Sequence, residues 1–178
     1  MKLKIIILLT MTFFSLHLDA QWNKVTVNKI AFKIKNAGIN VNGSFGKANI
    51  QINVDEKNPS NSTFLGVVEA SSIKTGINLR DNHLKDKEEF FNIASYPTLT
   101  MKSTKVVLKS AGVYTVTWIL TMKNVARQFT SDVTTKESGN VLLLSTSFTI
   151  NRNDWNIGGN SMTMGDQVTI QLNSSVTK

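Results

Sequence analysis

No cysteine occurs anywhere in the 178 residues. That excludes a disulfide framework, an acylated N-terminal cysteine and a thiol nucleophile. Histidine is almost as scarce: only His17 and His83 are present, too few for a histidine-rich zinc site. With 2 prolines in the whole chain, long regular elements can run without interruption, but proline is hardly available to protect a sheet edge. Long apolar runs are missing too, except for Ile5 to Leu16 at the N-terminus. That run is shorter than the ~20 residues of a comfortable membrane span. It follows Lys2 and Lys4 and precedes the small-residue step Leu18-Asp19-Ala20, the layout of a secretory signal. The expectation is a cleaved leader over residues 1–20, then one domain over residues 21–178 that is periplasmic or secreted.

The formal net charge is +8, of which the leader's Lys2, Lys4 and Asp19 account for little. On an exported domain the plain reading is a solvated basic surface. The sharper one is attraction to anionic lipid head groups, giving peripheral contact with a membrane surface, or to an anionic ligand. Nucleic acid is not expected, because no basic helix or aromatic-basic motif is visible.

What the chain does contain is alternation. Val25 and Val27, then Ile30, Phe32 and Ile34, alternate with polar residues, and a change of phase at Asn28 suggests a bulge. Asn36-Ala37-Gly38 reads as a turn before Ile39, Val41 and Phe45, with Gly43 and Gly46 marking tight spots. Ala48 to Val54 and Phe64 to Ala70 read as a hairpin across a polar turn. Later strands start at Leu99, Tyr114, Phe129, Leu142 and Val168. The plainest case places Tyr114, Val116, Trp118, Leu120 and Met122 on one face. About eight closely spaced strands predict an all-β antiparallel sandwich or barrel. The barrel is preferred, because closure removes exposed edges, and its interior has room for side chains or one slim ligand.

One stretch breaks the pattern. Ile73 to Pro97 carries Arg80, Asp81 and His83, the charge run Lys85 to Glu89, then Phe90 and Phe91 before Tyr96-Pro97. It predicts a short helical insertion near residues 80–92, with Asp81 as N-cap, at one end of the barrel or on the rim of a cavity.

The segments at 32–38, 71–101, 120–129, 148–158 and 165–172 then fall into a known order. The densest is Thr75-Gly76, Arg80-Asp81, His83-Leu84, Phe90-Phe91 and Tyr96-Pro97-Thr98. Together they resemble the YceI-like family across the whole mature chain. The resemblance implies a lipocalin-like eight-stranded barrel in an exported bacterial protein that holds a polyisoprenoid or other long-chain amphiphile, and it implies a homodimer. Four positions depart from the family pattern: Asn36 where histidine is frequent, and Trp118, Asn124 and Asn156 where glycine is usual. An inward Trp118 would narrow or shorten the tunnel.

The expected function is sequestration or carriage of an apolar amphiphile, such as a polyisoprenoid, an isoprenoid quinone or a fatty amide. The rival is a barrel filled solid that acts through its basic surface. Candidate apolar lining residues are Phe32, Phe45, Phe64, Phe91, Met101, Trp118 and Phe148, although inward alternation is equally what an ordinary core produces. Candidate polar rim residues are Asn36, Arg80, Asp81 and His83. Arginine suits a phosphate head, while the structural reading has Asp81 cap the helix and pair with Arg80. Arg152 and Asp154 read as a salt bridge on the loop from Asn151 to Met164. No catalytic residue, metal or cofactor is expected. A triad of His83, Asp81 or Asp86 and a serine exists on paper, but no G-x-S-x-G elbow accompanies it, and Glu88-Glu89 lie in a solvated run.

Overall fold

The computed structural model describes residues 22–177; the expected leader lies outside them. The strands are β1 (Lys24–Asn36), β2 (Ile39–Phe45), β3 (Ala48–Asn53), β4 (Thr63–Glu69), β5 (Ile73–Lys74), β6 (Thr98–Ser110), β7 (Val113–Met122), β8 (Val125–Ser138), β9 (Val141–Asn151) and β10 (Met164–Thr177). One helix, α1 (Asn78–Asp86), lies between β5 and β6. All strand pairs are antiparallel in one 10-stranded sheet, ordered β3-β4-β6-β7-β8-β9-β10-β1-β2-β5.

The ten strands form eight staves, because two staves are broken. β2 and β3 are halves of one, separated at Gly46-Lys47; β4 and β5 are halves of another, separated by a turn at Ala70–Ser72. β2 pairs with β5 and β3 with β4. The break is bridged by Gly46 N–H donating to the Ser72 carbonyl at 3.2 Å and Glu69 N–H to that of Lys47 at 3.0 Å. These bonds bring the two ends of the sheet, β3 and β5, together, so the sheet curls round into a barrel joined at the break by hydrogen bonds rather than by a continuous ladder. Its weakest join lies between β1 and β3. The ladder between β1 and β2 starts at Ile30, and below it an isolated bridge between Trp22 and Val54 fastens the two lips.

Alternation sets what fills the ring. On β7 the buried set is Tyr114, Val116, Trp118, Leu120 and Met122; on β9 it is Leu142, Leu144, Thr146, Phe148 and Ile150. At the end away from α1, the floor, Trp22, Val54, Val116, Leu142 and Val176 are fully buried and form a solid plug. At the α1 end, the mouth, Leu99, Ile150, Trp155 and Ile157 belong to a second cluster, against which Phe90 and Phe91 pack.

The boundaries differ most from the sequence reading in β8, β10 and α1: β8 starts at Val125 rather than Phe129, β10 at Met164 rather than Val168, and the helix ends at Asp86 instead of reaching residue 92. β8 runs through Lys136-Glu137-Ser138, placing the turn later, and β10 continues well past Leu172. In both, cross-strand pairing extends the strand beyond its strictly alternating part. Asp81 is not the N-cap. Ile77 holds that position with no side-chain cap, because Gly76 (φ +84°) turns the chain early and puts Asp81 inside the first turn. Two departures from the family pattern become intelligible here. Asn124 and Asn156 have φ of +60° and +55°, the left-handed region where glycine is the default and asparagine is tolerated.

Gly43 is a second constrained glycine. It faces Phe32 across the β1–β2 pair, and a Cβ at Gly43 would lie 2.1 Å from Phe32 Cζ. Gly43→Ala is expected to drive the Phe32 ring from its seat and lower stability by about 1–3 kcal/mol. Adding Phe32→Leu should recover part of that loss. Urea unfolding of the single and double variants measures both; additive losses would contradict the clash.

A candidate apolar tunnel with a clamped mouth

Between plug and mouth the interior is hollow. The deeper cavity, about 150 Å³, is lined by Phe32, Phe45, Phe64, Met101, Trp118 and Phe148, among others. The outer one, about 140 Å³, includes Phe32, Ile34, Val41, Phe45, Phe90, Phe91 and Ile157 in its lining. The two adjoin at a waist of Phe32, Phe45, Leu99, Met122 and Ile170, which line both. Aromatic contacts shape this waist: Phe45 lies 5.8 Å from Phe32 and meets Phe91 edge-on at 5.9 Å.

Trp118 stands at the bottom of the hollow part. Its ring sits 5.6 Å from Phe64, and its indole N–H donates to Ser131 Oγ at 2.9 Å. Ser131 in turn shares a hydrogen bond of 3.0 Å with Thr146, a buried residue lining the deeper cavity. The indole is therefore fixed in orientation, with its polar edge satisfied. Tyr114, Val116 and Trp22 fill the space toward the floor, so Trp118 ends the tunnel.

The mouth is built by two arginines. Arg80 donates through Nε to Thr75 Oγ1 and through Nη2 to the Thr75 carbonyl, both at 2.7 Å. Asp81, buried, accepts from the Thr75 backbone N–H at 2.8 Å and from its hydroxyl. Arg80 and Asp81 thus meet through Thr75 rather than as the expected direct pair, and the clamp ties α1 to β5. Arg152, buried, donates to the carbonyls of Ile157, Gly159, Met164 and Gly165 and pairs with Asp166 at 3.0 Å. Asp166, not Asp154, is its partner. Asp154 is exposed, because the turn at Arg152–Trp155 points it outward while burying Arg152 and Trp155. Gly158 is where this loop closes on the tunnel: a Cβ there would fall 2.0 Å from Met164 Cε and 3.1 Å from Arg152 Nη1.

All seven candidate apolar residues line one or both cavities, and Asn36 and Arg80 line the outer one. Asp81 and His83 line neither. Asp81 is turned into the clamp, and His83 is exposed on α1. The sequence reading missed Leu99, Met122, Ile170 and Arg152 as wall residues. The first three share the inward phase of alternation, which could have found them; Arg152 gave no signal of burial. Among the described residues no three His, Cys, Asp or Glu side chains gather as a metal site.

The comparisons fit this architecture. The YceI-like domain model matches residues 18–176, and the chain belongs to that family. A UPF0312 protein of Yersinia enterocolitica is 36% identical over 112 residues, covering 62% of this chain and 57% of that protein. A counterpart in Yersinia pestis is 33% identical over the same length and the same shares. The match thus spans little more than half the length of these curated relatives. Among solved structures, BcnA of Burkholderia cenocepacia superposes with a TM-score of 0.80 at 21% identity, covering 84% of this chain and 96% of that one. A domain from Saccharophagus degradans, described as polyisoprenoid binding, superposes with a TM-score of 0.69 at 14% identity, covering 89% and 98%.

The two members of the Arg152 pair should differ sharply. Arg152→Met strands several carbonyls around a buried site and is expected to cost about 3–5 kcal/mol. Asp166→Asn removes a partner whose side chain is 56% exposed and should cost under about 1 kcal/mol. Thermal and urea unfolding of both compare the losses; equal losses would contradict a scaffold role for the guanidinium.

Proposed function

We propose that this chain binds and carries the apolar tail of a long-chain amphiphile, in the periplasm or outside the cell. The observation that carries the reading is the two-chambered hollow between a solid floor and an arginine-clamped mouth. A filled barrel would have been plugged throughout; here packing is solid only at the floor. Likeness to a domain described as polyisoprenoid binding supports the class of ligand, and the leader-like residues 1–20 support the location.

The geometry suggests how long and how polar the ligand is. An apolar cavity of about 150 Å³ stays dry and admits a body the size of benzene, so two in series suit a slim tail of about a dozen carbons. Longer chains would leave their remainder outside the mouth. A neutral head group fits this mouth, because Arg152 spends its donors on loop carbonyls and Asp166, and Arg80 gives two of its own to Thr75. An isoprenoid quinone, a prenyl alcohol or a fatty amide meets both conditions. On this reading uptake is binding, with the deep wall supplying burial.

Each methylene buried contributes about 0.8 kcal/mol, roughly fourfold in affinity. In a series of dansyl-labelled fatty amides, affinity should climb by about that factor per carbon and then level off near a dozen carbons. Trp118→Ala removes the stop and should move the plateau to longer tails. Energy transfer from tryptophan to dansyl reads binding directly. Affinity that ignores tail length, or a plateau unmoved in a folded Trp118→Ala protein, would refute the tunnel.

A further inference from the structure

Four large apolar side chains project into solvent around the mouth. Ile39 is 71% exposed, Ile77 53%, Leu79 67% and Met162 103%. They come from three segments: the first residue of β2, the start of α1, and the loop before β10. The structure draws these segments together. The Ala37 N–H donates to the Thr163 carbonyl at 2.7 Å, fixing the Met162 loop beside the first turn. Asn36 pairs with both Ile39 and Met164, and Thr75 and Arg80, flanking Ile77, line the outer cavity together with Asn36 and Met164. The apolar tips therefore surround the opening into which a tail must pass.

Charge around these tips is one-sided. Lys33 and Lys35 on β1 and Lys74 on β5 are exposed in the same sector. The acids nearby are occupied: Asp81 is buried in the clamp and Asp166 is paired with Arg152. The exposed acids Asp86, Glu88 and Glu89 fall at the far end of α1 and just after it. The backbone there is held toward the β7–β8 side by Lys123 Nζ on the Glu88 carbonyl at 2.7 Å and by the Gly158 N–H on that of Glu89. Asp154 stands on that side too, close to Asn156, whose carbonyl also accepts from Lys123.

We propose that this sector of the mouth docks onto an anionic phospholipid surface, with Ile39, Ile77, Leu79 and Met162 entering the interface and Lys33, Lys35 and Lys74 resting on the head groups. Apolar insertion together with basic residues is the pair of signals that makes peripheral binding stable. Separate tips on three segments suit a soft interface, which moulds around each of them; a rigid protein partner would need a matched pocket for every tip. Docking there brings the tunnel opening against the layer in which a poorly soluble amphiphile resides, so the tail passes between membrane and protein without crossing water. The inference rests on the carrier reading for its purpose but not for its test.

Two assays separate the two claims. Co-sedimentation uses vesicles of phosphatidylethanolamine with phosphatidylglycerol, and vesicles of phosphatidylcholine alone. Uptake uses a dansyl-labelled fatty amide delivered either from cyclodextrin or from the same vesicles. Leu79→Asn with Met162→Asn is expected to lower partition onto anionic vesicles at least tenfold and to slow uptake from vesicles, while uptake from cyclodextrin stays unchanged. Lys35→Glu with Lys74→Glu should abolish the preference for anionic over zwitterionic vesicles. Wild-type protein that ignores anionic vesicles, or variants that sediment like wild type, would overturn the docking face. So would a wild-type dimer in sedimentation velocity that Leu79→Asn dissociates, since a second copy of the chain would then cover the tips. Absent cyclodextrin uptake with intact vesicle binding would sink the carrier reading alone.

Discussion

A closed sheet has a single interior, and every inward side chain must share it. That constraint governs the rest of this molecule. With eight staves the ring is just wide enough for side chains to fill, so whether it is solid or hollow depends on which residues alternate inward at each level. At the floor, Trp22, Tyr114 and Trp118 belong to one buried cluster with Val54, Val116, Leu142 and Val176. Nearer the mouth the wall is mostly aliphatic, with Phe45 tilted against Phe32 and meeting Phe91 edge-on, and space remains between the facing sides. Closure also runs through the interrupted staves. At Gly46-Lys47 and Ala70–Ser72 the paired staves break together, and hydrogen bonds from Gly46 to Ser72 and from Glu69 to Lys47 span the break.

The mouth follows a second logic. Loops that cross an opening cannot satisfy their backbone groups from a ladder, and unsatisfied buried groups are costly. Two arginines resolve this. Arg152 gathers the carbonyls of the loop before β10, and Arg80 with Asp81 fixes Thr75 at the point where the chain leaves β5. The family's densest motif therefore reads in this chain first as scaffold: Arg80 and Asp81 are each bonded to Thr75. What remains for a ligand is the apolar surface that this scaffold holds open.

Much of this was legible in the sequence, and the limits have physical causes. Inward alternation is a local property, so the period of two alone places Trp118, Phe148 and the other aromatic wall residues carried on strands on the interior face. A cavity is not local. It depends on which residues from non-adjacent staves share a level, and that register is set by bulges such as those at Val25/Val27 and Ser103/Lys105. Partners chosen by loop geometry were equally hidden. Sequence proximity suggested Asp81 for Arg80 and Asp154 for Arg152, whereas the folded loops supply Thr75 and Asp166. The helix was anticipated, but its start was misplaced because a positive φ at Gly76, not an acidic side chain, sets it.

The central claim is that the hollow between Trp118 and the mouth exists to hold an apolar tail. Native mass spectrometry of the protein recovered from the envelope of its own cells, followed by solvent extraction of the complex, tests it most directly. The account expects a discrete added mass that solvent removes and that identifies as a neutral amphiphile. Bare protein, both as recovered and after incubation with isoprenoid quinones and fatty amides, would contradict it and leave the cavities as packing defects of a structural barrel.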